Sequence, residues 1–436
     1  IGCNPLAIFK SLMNNPSYAE WLHVWVINNN EIIPKEFLLK ENVIFIKRQS
    51  DAYTRYLATA SHLINNVTFP EWFVRRNEQK YLNTWHGTPI KHLGKDIHDE
   101  FMAHKNVSRN FLHATHLLSP NEHTSDVMMR KYDIDGIYSG LFAETGYPRI
   151  DSMINMSLPE KQKTLQKLGL DNSKQVVLYA PTWRGLHGHQ AKVNIEQLQS
   201  DLLELSKLPC HVVFRGHHLS EAAIADLNLP VAIAEQSIDT GELLSVVDLL
   251  VTDYSSIFFD FLPTKKPIVF YLYDLEEYSN ERGLYFDYSS MPGDVCKTID
   301  TTTATIEKIV SGTFKPNEKY LECLKKFCPF EDGKSTHRAI EFFFNDDKKS
   351  VTHRYSDNRK SLLFYPGTFV PNGITSSCIN LLSNLPIKDY QISIIIDPAA
   401  VSSSPERLEK FGKIPKSIHT IARVGQMVMT PEEVWI

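Results

Sequence analysis

The sequence predicts an α/β protein with parallel sheets, and three observations support this fold class. Short apolar runs typical of buried strands alternate with stretches whose apolar residues recur at helical spacing. Such alternation indicates βαβ units. Polar residues follow several of the apolar runs directly, at the position where parallel sheets bind ligands. Because 436 residues exceed what one hydrophobic core usually holds, we expect two or three domains.

Composition narrows the class of protein further. Hydrophobic residues make up 42% of the chain and charged residues 22%, which is typical of globular enzymes. No apolar segment is long enough to span a bilayer, and a net charge of -5 argues against non-specific binding of nucleic acid. The six cysteines are scattered and lack the paired spacing of a zinc site, which favours a reducing cytoplasm.

The sequence pattern predicts a first α/β domain over residues 1–155. Its opening forms an amphipathic helix through residues 6–13, and residues 53–64 also carry apolar side chains at helical spacing. The predicted strands are residues 21–27, 43–47, 81–85 and 116–119, with a helix around 100–113 between the last two. The glycine and proline residues of segment 146–151 are typical of a domain exit.

The turn after the predicted strand 81–85 is the first candidate site. His86 and Gly87 make the turn, Thr88 can cap a helix, and Pro89 suits the first helical position. This pattern predicts an imidazole beside a helix N-terminus, which favours a phosphate. Histidine also releases and accepts protons near neutral pH. A histidine in such a turn can equally be a buried structural residue, and only its context favours a functional role.

Residues 156–345 predict a second α/β domain. It begins with a charged helix at 158–168, and its strands are predicted at residues 175–180, 211–214, 246–251 and 267–271. Three of the strands end in polar turns. These turns are Thr182-Trp183-Arg184, Arg215-Gly216-His217-His218 and Thr252-Asp253-Tyr254-Ser255-Ser256, the last of which opens a predicted helix at 257–262.

Considered together, the four turns predict an anion site between the two domains. Imidazole, arginine and hydroxyl groups are the partners that phosphoryl oxygens require. Each residue also has a structural explanation, such as a surface ion pair for Arg184, a satisfied loop histidine for His217 or His218, and a helix cap for Ser255. The sequence has no Walker-type loop, dinucleotide fingerprint or nucleophile elbow, which disfavours a P-loop kinase, a dehydrogenase and a serine hydrolase.

Residues 346–436 predict a linker and the truncated start of a third domain. Segment 345–360 is polar and charged, as linkers are. A strand at 362–365, a glycine turn, a helix at 379–385 and a strand at 391–396 then follow. The segment around 364–375 is similar to the start of a retaining GT-B glycosyltransferase, which implies a larger bifunctional polymerase.

Several motifs occur in one order along the chain. They are Asn83-Thr84-Trp85-His86-Gly87-Thr88-Pro89-Ile90-Lys91, Gly146-Tyr147-Pro148-Arg149, Ala180-Pro181-Thr182-Trp183-Arg184, Arg215-Gly216-His217, Thr252-Asp253-Tyr254-Ser255-Ser256, Tyr278 with Arg282-Gly283, and Asp332-Gly333-Lys334-Ser335. Their order and spacing resemble the CDP-glycerol glycerophosphotransferase family, the teichoic acid polymerases and primases. The resemblance extends from the first residue to about Arg338.

The resemblance implies a GT-B fold of two facing Rossmann-like domains, with 1–155 on the acceptor side and 156–345 on the donor side. It implies transfer of an alditol phosphate from CDP-glycerol or CDP-ribitol to a lipid-linked or polymeric acceptor, with release of CMP. His86 matches the catalytic histidine and would be the general base. His217, chosen over His218 from the Arg-x-His spacing, would steady the phosphoryl group or protonate CMP. The implied donor-binding residues are Gly87, Thr88, Pro89, Ile90, Arg149, Pro181, Thr182, Arg184, Arg215, Gly216, Thr252, Asp253, Ser255, Ser256, Asp260 and Arg282.

The same resemblance implies no cofactor and no obligatory metal, because GT-B enzymes do not hold the donor through an Asp-x-Asp metal site. It also implies a peripheral protein on the cytoplasmic face of the bacterial membrane, acting on a wall or capsule polymer. Two alternatives stay open at this point. The first is a nucleotide-sugar enzyme on the same fold, either a glycosyltransferase or a UDP-sugar 2-epimerase, and the second is a non-catalytic positioning module.

Overall fold

The strands of the described residues form four sheets of two, four, six and three strands, and neighbouring strands within each sheet are parallel. The computed structural model describes residues 2–28, 33, 35–97, 101–182, 195–216, 231–235 and 237–424. Helices connect most of the consecutive strands that the structure describes, as is usual for parallel pairing, while the loop 66–79 connects β3 to β4. The predicted α/β class with parallel sheets is therefore confirmed.

The first unit contains a two-stranded sheet, β1-β2, and a four-stranded sheet of order β3-β4-β5-β6. Its elements are α1 Asn4–Met13, β1 His23–Ile27, α2 Lys35–Leu38, β2 Val43–Lys47, α3 Asp51–Thr59, β3 His62–Asn65, β4 Lys80–Asn83, α4 Lys105–His113, β5 His116–Ser119, α5 Glu122–Arg130, β6 Leu141–Glu144 and α6 Pro148–Ile154. The helical prediction for 53–64 is wrong beyond Thr59, because His62 to Asn65 pair with β4 as a strand.

The second unit has the strand order β12-β11-β10-β7-β8-β9, the doubly wound order of Rossmann folds. Its elements are α7 Leu158–Lys167, β7 Val176–Ala180, α8 Ile195–Leu205, β8 His211–Phe214, β9 Ala232–Ile233, α9 Thr240–Val246, β10 Leu249–Thr252, α10 Ile257–Phe261, β11 Ile268–Tyr271, α11 Leu275–Arg282, β12 Asp294–Cys296, α12 Ile299–Ser311, α13 Glu318–Phe327 and α14 Ser335–Phe344. The strand order switches from one side of the sheet to the other between β7 and β10, so ligands are expected at the carboxyl ends of these two strands.

Helix α6 joins the two units. It packs against α1 of the first unit, and against α9 and α14 of the second. The carboxylate of Asp151 on α6 accepts the backbone N–H groups of Ser335 (3.0 Å) and Thr336 (2.6 Å), which open α14. The segment 146–151, which was predicted to end the first domain, thus leads into helix α6, and helices of the second unit pack against this helix.

The third unit is a sheet of order β13-β14-β15. Its elements are β13 Lys360–Phe364, α15 Gly373–Asn384, β14 Tyr390–Ile396, α16 Pro398–Val401, α17 Pro405–Phe411 and β15 His419–Ala422. The predicted linker packs on the first unit, where Val351 bridges Ala143 of β6. No helix in the described ranges is long and apolar enough to cross a bilayer.

Candidate active site

The loop after β4 does not start a helix, so the predicted helix N-terminus at Thr88 and Pro89 is wrong. Residues 90–92 instead run extended and pair with residues 283–285 of the second unit. The contacts are Tyr285 N–H to Ile90 O (2.8 Å), His92 N–H to Gly283 O (3.2 Å) and an antiparallel bridge between Lys91 and Leu284. This pairing uses backbone groups that a helical turn would need, and in the described residues a short 3-10 turn at Gly94–Asp96 is followed by the next α-helix at Lys105.

The side chain of Thr88 has a structural partner rather than a capping role. Its hydroxyl oxygen accepts a hydrogen bond from the Asn121 amide at 3.1 Å, and the residue is buried. The neighbouring Pro89 carbonyl accepts from the His123 ring at 2.8 Å. The loop is therefore held by side chains of the first unit before it reaches the second unit.

His86 is exposed on this loop, and one of its ring nitrogens already makes a hydrogen bond within the protein. The Nδ1–H group donates to the backbone oxygen of Asn66 at 2.8 Å, since a carbonyl oxygen can only accept. This leaves the lone pair on Nε2. Protein groups that displace water around the ring lower the pKa of His86, and the Arg149 charge lowers it further, against the opposing effect of the Asn66 hydrogen bond. The lowered pKa favours the neutral imidazole, in which Nε2 can accept a proton.

Arg149, at the start of α6, connects the His86 loop to the second unit. Its Nη1 donates to the His86 backbone oxygen at 2.6 Å, and its Nη2 donates to Asp260 of α10 at 2.8 Å. The two side chains are only 15% and 12% exposed. Burial alone would lower the pKa of Arg149, but the Asp260 charge raises it above the ordinary value. A charged bridge therefore fixes the position of the loop.

The loop after β4 touches the turn after β10 directly. A methyl group in place of the Gly87 hydrogen would lie 3.1 Å from the Ser256 hydroxyl oxygen and 3.9 Å from Arg149 Nη2. There is accordingly little space between the two backbones at this point. The structure brings the His86 loop and the predicted serine turn together, at the carboxyl end of a strand in each unit.

The residues predicted to bind the donor fall into two groups. Some are buried and bond neighbouring strand ends to each other, and others lie nearer the surface. The Thr252 hydroxyl donates to Ala180 O (2.7 Å), and the Asp253 carboxylate accepts from Thr182 N–H (2.7 Å). These bonds join the ends of β7 and β10, the parallel neighbours between which the strand order switches from one side of the sheet to the other. Thr252 and Asp253 are buried, whereas Pro181, Thr182, Ser255 and Ser256 are half-buried.

Arg215 and Gly216 follow β8 and are half-buried. The Arg215 guanidinium donates to the backbone oxygens of Glu235 (3.0 Å) and Ile238 (3.1 Å), so part of its capacity orders that loop. Ile90 is buried in the core shared by the two units. The predicted site residues Arg184 and His217, together with Trp183 and His218, lie outside the described residues, as does the side chain of Arg282.

Two contributors to the site were not predicted from sequence. Asn66 acts through its backbone carbonyl, which carries no residue-specific signal. Glu331 interacts electrostatically with both Arg149 and Asp260, and its carboxylate accepts the Tyr147 N–H at 2.9 Å. Removal from water, together with the charges of Asp260 and Asp151, raises the pKa of Glu331 to about 8. Within the described ranges, no three His, Cys, Asp or Glu side chains gather as metal ligands.

Two facing α/β units with parallel sheets, with the predicted site residues at the strand ends between them, are the architecture of a GT-B protein. A sequence model of the CDP-glycerol:poly(glycerophosphate) glycerophosphotransferase family matches residues 1–345. The chain belongs to this family. The predicted resemblance and the predicted fold are therefore confirmed, while the roles of individual site residues stay predictions.

Individual relatives agree with this assignment. The chain is 31% identical to a teichoic acid poly(glycerol phosphate) polymerase of Bacillus spizizenii, over 78% of this chain and 88% of that protein. It is 28% identical to a teichoic acid glycerol-phosphate transferase of Staphylococcus aureus, over 78% and 89%. The corresponding Bacillus subtilis polymerase, 31% identical over 78% of this chain, is longer, and the match covers 47% of it. The solved structure of the wall teichoic acid polymerase TagF superposes with a TM-score of 0.67 at 25% identity, over 79% of this chain and 85% of that one.

Proposed function

We propose that this chain transfers an alditol phosphate from a CDP-activated donor to a hydroxyl of a teichoic-acid-like polymer and releases CMP. His86 Nε2 takes the proton of the acceptor hydroxyl. The acceptor oxygen then attacks the phosphorus that carries the alditol, and the bond from this phosphorus to the bridging oxygen of CMP breaks. CMP leaves as a phosphate monoester, and a new phosphodiester joins acceptor and alditol.

The observation that supports this proposal best is the contact between Gly87 and Ser256. It puts a loop that carries a neutral imidazole against a turn that carries two serine hydroxyls, at the switch point of a Rossmann-type sheet. Displacement at phosphorus needs alignment and charge neutralisation more than covalent help, and a positioned base contributes ~10²–10⁴-fold. The two faces of this contact are suited to those two tasks.

On the donor side, we assign phosphate binding to hydroxyl and cationic groups after the strands of the second unit. The half-buried residues nearest the His86 loop are Ser255 and Ser256, with Thr182 and Arg215 after the neighbouring strands. His217 would act on the leaving CMP, as the family resemblance implies. The names of the relatives favour glycerol phosphate as the transferred group, with ribitol phosphate as the second choice.

The domain limits are part of the proposal. We assign 1–155 to the acceptor side, 156–345 to the CDP side and 346–436 to a linker and a further α/β unit. The separate sheets β3 to β6, β7 to β12 and β13 to β15 support these limits. Helix α14 departs from a simple division, because it packs on α1 and α6.

The test is incubation of the purified chain with CDP-glycerol, CDP-ribitol or UDP-glucose and a synthetic lipid-linked glycerol phosphate acceptor, with CMP or UDP release measured by chromatography. We expect acceptor-dependent CMP release from CDP-glycerol, less from CDP-ribitol, and no UDP release. UDP release with no CMP would favour a nucleotide-sugar enzyme. A folded chain that binds CDP-glycerol without any turnover would favour a positioning module.

We also propose that the chain binds the cytoplasmic face of the membrane peripherally. Leu22, Leu38 and Leu39 of the first unit are exposed, Leu39 by 86%, and Lys40 is an exposed neighbour. Exposed apolar side chains beside a cation suit an anionic bilayer surface. Flotation with phosphatidylglycerol vesicles should recover the chain, and a Leu38→Ser, Leu39→Ser variant should float less. Equal recovery of both proteins would remove this face from the proposal.

A further inference from the structure

The amide of Asn83 joins the two loops that hold His86. Asn83 ends β4 and is fully buried. Its Oδ1 accepts the backbone N–H of Trp85 at 2.9 Å, and its Nδ2 donates to the backbone oxygen of Val67 at 2.8 Å and to the Tyr81 hydroxyl at 3.1 Å. One side chain therefore contacts the residue before His86 and the residue after Asn66.

The first of these loops is held in a strained backbone conformation. Trp85 has φ +51°, in the left-handed region that bulky residues rarely adopt. Its indole ring is buried, and its centroid lies 4.2 Å from that of the His86 ring. The Asn4 amide donates to the backbone oxygens of Thr84 and Trp85, each at 3.3 Å. A strained residue fixed by buried amides is typical of a functional site, where the strain places the next side chain.

The second loop supplies the acceptor for the ring proton of His86. Asn65 Oδ1 accepts Val67 N–H at 2.9 Å, which closes a tight turn around Asn66. The Asn66 carbonyl in this turn accepts the His86 Nδ1–H. Asn83 thus fixes the distance between the backbone that carries the imidazole and the carbonyl that selects its tautomer.

We propose that Asn83 is a positioning residue for the transfer reaction, which keeps the proton of His86 on Nδ1 and the lone pair on Nε2. This inference rests on the proposed function, because it matters for turnover only if His86 is the base. Asn83 itself touches no substrate. Its effect passes through the Trp85 backbone on one side and the turn at Val67 on the other.

Two substitutions separate the two contacts. Asn83→Asp keeps an oxygen for Trp85 N–H but removes the donor to Val67, whereas Asn83→Ala removes both. Asn110→Asp is the matched control, since Asn110 is equally buried and bonds to Phe69 and Asn106, and its link toward Asn83 is the longer bond that it accepts from the Tyr81 hydroxyl (3.4 Å). Asn65→Ala is a milder variant that loosens the same turn at a half-buried position, in case the Asn83 variants fold poorly.

The readouts are ¹⁵N NMR of the His86 ring, assigned by comparison with His86→Gln, and the pH dependence of kcat with CDP-glycerol. In the unaltered chain we expect a single tautomer with the proton on Nδ1. In the Asn83 variants we expect mixed tautomers, a lower His86 pKa because the carbonyl partner of the imidazolium is weakened, and a kcat reduced by up to about 100-fold. The KM for CDP-glycerol should stay within about twofold, and Asn110→Asp should change neither readout.

Folded Asn83 and Asn65 variants with unchanged His86 ring shifts would overturn the proposal. Because the tautomer is measured without turnover, failure of the proposed function is recognised separately. If His86 is not the base, the ring shifts would still change in the Asn83 variants, but His86→Ala would keep normal CMP release.

Discussion

The loop after β4 and the turn after β10 both follow parallel strands and meet at Gly87 and Ser256, yet they are held differently. The first runs extended, is fixed by buried side chains and pairs with residues 283–285. The second turns at once into the short helix α10, where Ile257 N–H bonds weakly to the Ser255 hydroxyl at 3.4 Å. Among the described residues, the hydroxyls of Ser255 and Ser256 make no other hydrogen bond, whereas the histidine loop uses most of its hydrogen-bonding groups internally.

This difference matches the two tasks in a phosphoryl transfer. A base must be kept in one orientation and one tautomer before the acceptor arrives, because proton transfer depends on position. A donor seat needs groups whose hydrogen bonds are completed by the ligand itself. In the proposed reaction, the loop after β4 is therefore the preorganised side of the site, and the turn after β10 is the side that the ligand completes.

The largest effect should come from removing the preorganised base. His86→Ala removes the Nε2 lone pair but leaves the Asn83, Thr88 and Arg149 contacts in place, so turnover should fall ~10²–10⁴-fold with little change in melting temperature. CMP release and thermal denaturation are measured on the same sample. His353→Ala, at an exposed histidine in the predicted linker, is the control. Loss of activity that tracks loss of fold would make His86 a structural residue.

The next effect concerns the bridge between the loops. Arg149→Ala leaves the Asp260 carboxylate partly buried and unpaired, which should lower the free energy of unfolding by about 3 kcal/mol. Asp260→Asn in the same chain should restore part of that loss, because the unpaired charge is gone. Denaturant unfolding of both single variants and the double variant measures the coupling. Additive losses would show that the two residues do not depend on each other.

The support of the His86 loop should also be pH-sensitive. The pKa of Glu331 is about 8 in the folded chain, against an ordinary value of 4.5. Between these two pH values, Glu331 is therefore protonated in the folded chain and ionised in the unfolded chain. Stability should therefore fall as pH rises from about 4.5 to 8. Glu331→Gln, which resembles the protonated acid, should remove this slope. Urea denaturation from pH 5 to 8.5 tests it, and an identical slope in both proteins would contradict the assignment.

The smallest effect comes from pushing the two loops apart. In Gly87→Ala, the new methyl group would crowd the Ser256 hydroxyl, which should cost about 1 kcal/mol. Adding Ser256→Ala should relieve the crowding, since the next atoms lie at ordinary contact distance. Gly373→Ala is the control, because a methyl group there meets nothing within 4 Å. Thermal shifts measure all four chains, and no relief in the double variant would place the two loops further apart.

Sequence predicted the parts of this site that depend on local signals. The apolar runs of β5, β7 and β8 were recognised because buried parallel strands are apolar on both faces. The helix after Ser256 was recognised from its polar turn. Thr88 and Pro89 carry an equally good helix signal, but residues almost two hundred positions later take the backbone groups of the segment that follows them. Tertiary pairing of that kind leaves no local trace.

Residue roles showed the same limit. The motif order indicated that Arg149 and Asp260 belong to the site, but spacing along the chain could not reveal that they bind each other. The Asn66 carbonyl is invisible in sequence, because every residue has one. The sequence can therefore predict which loops carry the candidate site residues. The structure is needed to show which groups in these loops already have hydrogen-bond or ion-pair partners within the protein.

The most direct test of the central claim, that the loop after β4 presents His86 as a neutral base, is the pH dependence of kcat/KM for CMP release. Protein groups that displace water around the ring, together with the Arg149 charge, lower the pKa of His86, so the base form is present above an acidic limb that lies below pH 6.5. We expect kcat/KM to fall along this limb as pH decreases, and the limb to disappear from the residual activity of His86→Ala. An acidic limb that persists unchanged in His86→Ala would assign the titrating base to another residue and contradict the account.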